Sequence, residues 1–144
     1  MRLDELLRAI PPATQAKLPP SLQGFKVARR SWLVQLYYAD PLVHYEVVTL
    51  GVKRGELEIG LHFESRSSAL NERLLNGFMQ HLFEIKAELG DGFEAEMWDK
   101  GWTKVYETIP LEPFDEAYVD RVAGRLAQVI VVLQPILEHL TAGK

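Results

Sequence analysis

The most constraining feature of this sequence is a strict alternation of apolar and polar residues between positions 56 and 64. The apolar positions are Leu57, Ile59, Leu61 and Phe63, and the polar ones are Glu56, Glu58, Gly60, His62 and Glu64. Successive side chains of a β-strand point to opposite faces, so this segment predicts a strand with one buried face and one solvated face. Apolar residues then recur at helical spacing from Leu70 to Leu89, and Gly90 is placed to end a helix. The chain therefore combines sheet and helix.

Four further segments have strand character, and one more has helical character. The strand segments are residues 32–38, 44–52, 93–97 and 102–108. Asp115 is a suitable N-cap for a last helix, and Pro135 is expected to kink or restart that helix. Connections of hairpin length favour antiparallel pairing. The prediction is an α+β fold with an antiparallel five-stranded sheet and helices on one face, in the order α-β-β-β-α-β-β-α.

The first 24 residues are expected to form a unit of their own. Residues 3–10 carry leucine and isoleucine at helical spacing, and Pro11-Pro12 is predicted to end this helix. Residues 11–24 contain four prolines and Gly24, which is typical of an extended connector. We therefore expect residues 1–24 to be an N-terminal helix with a Pro-rich connector, and residues 25–144 to be a single α+β domain.

Composition excludes several classes of function. The 144 residues include 16 Lys and Arg against 20 Asp and Glu, a net charge of −4, so binding to nucleic acid through its phosphates is disfavoured. Without cysteine there can be no disulfide, thiol nucleophile or Cys-ligated metal. The longest apolar run, residues 129–133, is far shorter than the ~20 residues that span a bilayer. We expect a soluble, cytoplasmic protein with no membrane contact and no cofactor.

Two His-x-Glu patterns, His44-Tyr-Glu46 and His62-Phe-Glu64, lie on neighbouring predicted strands. Residues two apart on a strand leave the same face, so each pattern places an imidazole and a carboxylate side by side. If the two patterns faced each other, their four side chains could hold a divalent metal ion. The alternative is that they are ordinary polar residues on the solvated face of the sheet.

The register between these two strands decides whether the patterns meet. A two-residue loop at Arg54-Gly55 would place Leu61 beside Val48 and the two patterns on opposite faces of the sheet. A three-residue loop would bring His62 opposite Glu46. The first register buries more apolar surface, and it is therefore the predicted one.

Aromatic and basic residues cluster around the last predicted hairpin. Trp98 and Trp102 flank a turn, and Lys104 and Tyr106 share a face with Trp102. Exposed aromatic rings beside a cation can anchor a partner, whereas indoles can also cap the end of a core, and both interpretations stay open. These four residues are the predicted binding residues. In a third hypothesis, the three aromatic rings bound a small-molecule pocket between the sheet and the helices.

A set of short motifs occupies the second half of the chain. They are Asn71, Ile85-Lys-Ala-Glu-Leu-Gly90, residues 94–98, residues 104–106 and the segment from Asp115 onward. In these motifs the chain resembles an uncharacterised prokaryotic domain family found fused to, or encoded beside, restriction-type nucleases, and this resemblance implies no catalytic residue. The order of elements also resembles the secretion-chaperone-like fold, whose members are small, acidic, commonly dimeric proteins that bind other polypeptides.

No group of residues points to a particular reaction, so no catalytic residue is predicted. Residues 32–38 are apolar on both faces, and two helices can cover only one side of a five-stranded sheet. The leading hypothesis is therefore a non-enzymatic protein-interaction module that binds a protein partner or forms a homodimer. The alternative is a metal-dependent enzyme or nuclease-associated subunit that uses His62 and Glu64 as metal ligands.

Overall fold

The computed structural model of the protein describes residues 1–51 and 53–142. Within them the chain forms four α-helices, namely α1 (Leu3–Lys17), α2 (Ser68–Gln80), α3 (Leu82–Leu89) and α4 (Glu116–Thr141). It also forms six strands, namely β1 (Lys26–Arg30), β2 (Leu33–Tyr37), β3 (Val43–Thr49), β4 (Glu56–Phe63), β5 (Glu94–Met97) and β6 (Thr103–Pro110). A short 3₁₀ turn, Pro20–Leu22, lies between α1 and β1.

All six strands form one antiparallel sheet in the order β1-β2-β3-β4-β6-β5. The predicted α+β class and antiparallel sheet are confirmed, but the predicted number of five strands is wrong. The missing strand is β1, whose five residues are all exposed and therefore leave no alternating pattern in the sequence. It forms one edge of the sheet, where basic side chains such as Lys26 and Arg30 discourage pairing with another chain. The strand predicted over 44–52 ends at Thr49, and position 52 lies outside the described residues.

Helix α1 continues through the Pro11-Pro12 pair, so the prediction that this pair ends the helix is wrong. A proline inside a helix costs about 3 kcal/mol, because it removes a donor and crowds the preceding turn. Packing against α4 offsets that cost, since Leu6, Leu7 and Ile10 are fully buried in the core and each contributes roughly 1.5–3 kcal/mol. The first helix therefore shares one core with the sheet.

The apolar repeat over residues 70–89 forms two helices and not one. Helix α2 ends just before His81 and α3 begins just after it, and the backbone of His81 (φ −100°, ψ 3°) departs from helical geometry. Helix α4 begins as predicted, where the N–H of Tyr118 donates to the Asp115 side chain, but it does not restart at Pro135. No helix in the described part of the chain combines the length and the hydropathy needed to cross a bilayer.

The register of β3 and β4 differs from the predicted one. The cross-strand pairs are His44 with His62, Tyr45 with Leu61, and Val47 with Ile59. The loop between β3 and β4 is longer than two residues. The backbone N–H of Gly55 donates to the carbonyl oxygen of Gly51 within it. This register pairs apolar residues with apolar residues just as well as the predicted one, so burial could not distinguish them. It places both His-x-Glu patterns on the same face of the sheet.

The sheet has an apolar face and a polar face. On the apolar face Val34, Ile59 and Val105 are buried in one core with residues of the four helices. The polar face carries the intervening residues of the same strands, including both histidines of β3 and β4. The candidate metal ligands named from the sequence, His62 among them, therefore lie on the polar face.

Candidate metal centre

Two neighbouring strands bring four potential metal ligands together on the polar face of the sheet. His44 and Glu46 lie on β3, His62 lies on β4, and Glu64 directly follows β4. Because the two histidines are cross-strand partners, their rings stack with centroids 5.7 Å apart. One ligand atom from each of the four residues lies within 4.8 Å of the other three. We call these four residues the His/Glu cluster.

The imidazole of His44 is held in one orientation. Its Nδ1 atom lies 2.8 Å from the carbonyl oxygen of Pro41, which can only accept, so Nδ1 carries the proton and donates it. The other ring nitrogen, Nε2, lies 3.1 Å from Oε1 of Glu46 and 3.7 Å from Oε1 of Glu64. The backbone carbonyl therefore selects the tautomer that points a ring nitrogen at two carboxylates.

The imidazole of His62 is held by a carboxylate instead. Its Nε2 atom lies 2.8 Å from Oε2 of Glu58, and the other oxygen of Glu58 accepts a hydrogen bond from Nζ of Lys104, also at 2.8 Å. The second ring nitrogen, Nδ1, lies 3.1 Å from Oε2 of Glu64. The tautomer that donates from Nε2 to Glu58 therefore leaves Nδ1 facing Glu64, whereas Oε2 of Glu46 lies 3.8 Å from Nε2.

The His/Glu cluster is buried although it lies on the polar face. His44, Glu46 and His62 are 1%, 6% and 2% exposed, and Glu64 is partly buried. The ring of Trp98 stands edge-on against that of His62, with centroids 5.9 Å apart. Buried polar groups are costly unless they are hydrogen-bonded, and every buried side-chain nitrogen or oxygen in the described residues has a partner. The cluster is thus part of a fully connected network.

Gln35 and Gly60 are the cross-strand partners of Glu46 on its two neighbouring strands. Gln35 on β2 donates from Nε2 to Oε1 of Glu46 at 3.1 Å. Gly60 is the cross-strand partner of Glu46, and a Cβ atom added there would lie only 2.5 Å from the Cβ of Tyr106 on β6. The amide orients the carboxylate, and the glycine allows β4 and β6 to approach closely beside it.

The contacts within this network shift several pKa values. Burial alone would lower the pKa of His62, but hydrogen bonds to Glu58 and Glu64 outweigh it and raise the pKa to about 9. Burial would raise the pKa of Glu46, but the hydrogen bond with His44 and the charge of His62 hold it below its ordinary value. In the metal-free protein at neutral pH, His62 is therefore an imidazolium beside ionised Glu46.

The four predicted binding residues lie together beside the His/Glu cluster. The Nζ atom of Lys104 is 4.1 Å from the ring centroid of Tyr106 and 5.3 Å from that of Trp98. The rings of Trp98 and Trp102 are 5.4 Å apart. Since Lys104 also pairs with Glu58, its charge is turned toward the cluster. Sequence reasoning treated the aromatic residues and the histidines as separate sites, whereas the structure places them next to one another.

The aromatic residues do not bound a pocket between the sheet and the helices, as the small-molecule hypothesis required. Tyr106 pairs with Gly60 and lies on the polar face, whereas the helices pack on the apolar face. A cavity between sheet and helices is lined instead by residues that include Tyr38 and Tyr45. The location given by that hypothesis is therefore wrong.

Sequence reasoning missed three residues that position the cluster, namely Gln35, Pro41 and Glu58. Glu58 lies four residues before His62 in the same alternating segment, so the alternation already placed both side chains on one face. Gln35 contacts Glu46 because the register of β2 pairs the two residues. Pro41 orients His44 through its backbone oxygen. Neither contribution has a signature in the sequence.

Comparison of the chain with protein-family models, with curated proteins and with solved structures found no match. The two resemblances drawn from the sequence therefore stay predictions. A functional assignment has to rest on the geometry of the site.

Proposed function

We propose that the protein binds one divalent transition-metal ion through the four residues of the His/Glu cluster. The observation that carries this proposal is the orientation of the two imidazoles. His44 donates one N–H to the carbonyl of Pro41, and His62 is placed to donate one to Glu58. His44 then turns Nε2 toward Glu46 and Glu64, and His62 turns Nδ1 toward Glu64. Metal-binding histidines have this arrangement, because the outer partner fixes the tautomer and the ring orientation.

The donor set favours a transition metal over Mg²⁺ or Ca²⁺. Two imidazole nitrogens and two carboxylate oxygens suit Zn²⁺ and related ions, whereas Mg²⁺ and Ca²⁺ take oxygen ligands. Zinc bonds are about 2.0–2.2 Å long, and the four ligand atoms already lie within 4.8 Å of one another. We therefore expect Zn²⁺ to bind tightly, Mn²⁺ to bind more weakly and Mg²⁺ not to bind.

Charge balance supports the same proposal. With neutral imidazoles, Glu46, Glu58 and Glu64 carry three negative charges, and Lys104 supplies one positive charge. Two negative charges in a largely buried site then lack compensation, which is costly. One divalent ion compensates them, and it replaces the additional proton that His62 carries in the metal-free protein. Metal binding should therefore release protons.

Four protein ligands and deep burial favour a structural role for the ion over a catalytic one. Catalytic zinc sites keep one position open for water or substrate, whereas structural sites are closed by four protein ligands. The His/Glu cluster also joins β3 to β4, two central strands of the sheet. We therefore propose that the ion stabilises the sheet and that the protein acts by binding and not by catalysis.

Isothermal titration calorimetry of the full chain, first freed of metal with a chelator, tests the proposal. We expect one equivalent of Zn²⁺ to bind, with weaker binding of Mn²⁺ and no heat from Mg²⁺. Titrations in buffers of different ionisation enthalpy should reveal the released protons. Glu64→Gln and His44→Gln should each weaken Zn²⁺ binding at least ~tenfold, since even the loss of an outer partner has an effect of that size.

Two matched substitutions outside the cluster serve as controls. His81→Gln and Glu72→Gln make the same chemical changes on or beside α2 and should leave Zn²⁺ affinity unchanged. Circular dichroism checks that all four variants are folded. Absence of stoichiometric binding by any transition metal overturns the proposal, and so does unchanged Zn²⁺ affinity in the two cluster variants.

Protein binding is a second candidate function, favoured by exposed apolar residues on the helices. Phe83 on α3 is 88% exposed, and Met79 and Val131 are 51% and 45% exposed. Phe83 also lines one surface groove with Val132 and Ile136 of α4, and a contiguous apolar surface is typical of contact sites. We propose a second copy of the chain as the first partner to test. Sedimentation at micromolar concentration should give a dimer that Phe83→Ser dissociates and Leu42→Ser does not, and a monomeric wild type would contradict this.

A further inference from the structure

A cavity of about 260 Å³ lies on the apolar side of the sheet, between the sheet and helices α2 and α4. Much of its wall is apolar, with Val43 from β3, Leu74 from α2 and Leu137 from α4. The aromatic rings of Tyr38 and Tyr45 also line it. A concave, mostly apolar site with a few polar groups is typical of small-molecule binding.

A chain of hydrogen bonds follows the wall of this cavity and ends on Glu138. The hydroxyl of Tyr45 donates to Oε1 of Gln134 at 2.9 Å, and Nε2 of Gln134 donates to Oε2 of Glu138 at 3.0 Å. Tyr45 and Gln134 are buried, whereas Glu138 is exposed. Because both hydrogen bonds run toward the carboxylate, the chain ends on Glu138, whose oxygens can accept a further hydrogen bond from an incoming ligand.

The cavity carries negative charge. Asp40 and Glu138 both line it, and none of the described lining residues is Lys, Arg or His. Burial and then the charge of Glu138 raise the pKa of Tyr38 to about 12, so this carboxylate acts on the ring next to it. The charge and the hydrogen-bond chain both favour a ligand that brings a cationic donor.

We propose that this cavity binds an amphiphilic organic cation, namely an amine carried on an aromatic or branched aliphatic body. The ammonium group pairs with Glu138, and Asp40 adds a second negative charge to the lining of the cavity. The apolar body lies between Leu74 and Leu137, and the ring of Tyr38 is available for a cation–π contact. An apolar cavity of about 150 Å³ already holds benzene, so 260 Å³ leaves room for a ring with a short side chain.

This inference is independent of the proposed metal site. The cavity uses Tyr45 and Val43, whereas the His/Glu cluster uses His44 and Glu46, which point to the opposite face of the same strand. A failure to bind metal would therefore not contradict the cavity proposal. A failure to bind the organic cation would not contradict the metal proposal.

An NMR titration of the full chain with three probes of similar shape tests the proposal. The probes are 2-phenylethylamine, which is a cation at neutral pH, neutral 2-phenylethanol, and the anion 3-phenylpropionate. We expect the amine to bind most tightly, the alcohol more weakly and the anion not at all. The largest chemical-shift changes should occur at the side-chain amide of Gln134 and at the methyl groups of Leu74 and Leu137.

Three variants sharpen the titration. Glu138→Gln should weaken the amine about tenfold, because a charged hydrogen-bond partner is lost, and should leave the alcohol unchanged. Leu70→Trp introduces a large ring at a partly buried lining position and should weaken both probes. Glu72→Gln is the matched control on an exposed part of α2 and should change neither affinity.

Several outcomes would overturn the proposal. One is the absence of amine binding at millimolar concentration. Another is equal affinity for the amine and the anion, which would remove the role of charge. Unchanged amine affinity in Glu138→Gln, or in a folded Leu70→Trp variant, would place the binding outside this cavity.

Discussion

The two faces of the sheet bury their residues by different means. On the apolar face, Ile59 and Leu61 are fully buried in the hydrophobic core shared with the helices. On the polar face, Glu58 and His62 lie next to them in β4 and are almost as buried, at 3% and 2% exposure. Their burial depends on ionic hydrogen bonds to Lys104 and to each other. Burial alone therefore does not separate core from candidate site in this protein.

Because the two faces are stabilised by different interactions, their stability should respond to different changes. Apolar burial contributes about 25 cal/mol per Å², is non-directional and depends little on pH or ions. Buried charges are stable only while every partner is present, so removing one partner costs about 3–5 kcal/mol. The apolar face should therefore respond to changes in side-chain volume. The polar face should respond to protons, to metal and to the loss of single charges.

The largest expected effect belongs to the apolar face. Leu61→Ala should lower the free energy of unfolding by about 2–5 kcal/mol, because it removes buried methyl groups and leaves a cavity. Urea denaturation measures this loss, which should be equal with and without Zn²⁺. Leu42→Ala, at a position 40% exposed, should change stability by less than about 0.5 kcal/mol. A loss that depends strongly on Zn²⁺ would mean that the two faces are coupled.

The next effect is a pH dependence of the metal-free protein. The pKa of His62 is raised from 6.5 to about 9 in the folded state, so folding favours the protonated imidazole. This stabilisation is complete below pH ~6.5 and is lost as the pH rises through 9, an effect on the order of 3 kcal/mol. Urea denaturation between pH 6 and pH 10 should show the fall, and His62→Gln should flatten it. Stability that rises over this range would show that the imidazole is neutral in the folded state.

Zinc should stabilise the protein by a slightly smaller amount. At a concentration about 100-fold above its dissociation constant, an ion that binds only the folded state adds about 2.7 kcal/mol. Glu58→Gln keeps all four ligands but weakens the support of His62, and should lower Zn²⁺ affinity about 10–100-fold. Thermal unfolding with and without Zn²⁺ measures both effects. An equal Zn²⁺ response in wild type and Glu58→Gln would show that Glu58 does not support a metal ligand.

The elements with strong periodicity could be predicted from the sequence, and those without it could not. The alternation of apolar and polar residues predicts β4 because one face of that strand is buried. Asp115 predicts the start of α4 because its side chain accepts a hydrogen bond from the first turn of the helix. All residues of the edge strand β1 are exposed, so its sequence shows no alternation of apolar and polar residues. The passage of α1 through Pro11-Pro12 depends on packing against α4, which acts over a long sequence separation.

Sequence reasoning located both halves of the candidate site but not the register between β3 and β4, which differs from the predicted one by three residues, an odd number. Both His-x-Glu patterns were recognised, but the choice of loop placed His44 and His62 on opposite faces. A shift of register by one residue moves every side chain of a strand to the other face. The pairs Tyr45 with Leu61 and Val47 with Ile59 satisfy apolar burial as well as the predicted pairs did. Hydrophobic pattern therefore locates the strands without deciding which polar groups meet.

The smallest expected effect compares one hydroxyl on each face. Tyr45→Phe should lower the free energy of unfolding by about 1 kcal/mol, because the buried Oε1 of Gln134 loses its donor. Tyr106→Phe removes a hydroxyl that donates to the exposed Glu96 and should change stability by less than about 0.5 kcal/mol. Urea denaturation of both variants in parallel gives the difference directly. A larger loss of stability in Tyr106→Phe would contradict this order. It would mean that the aromatic residues beside the His/Glu cluster contribute more to the free energy of unfolding than their exposure indicates. The polar face would then be stabilised by side-chain packing as well as by its charges.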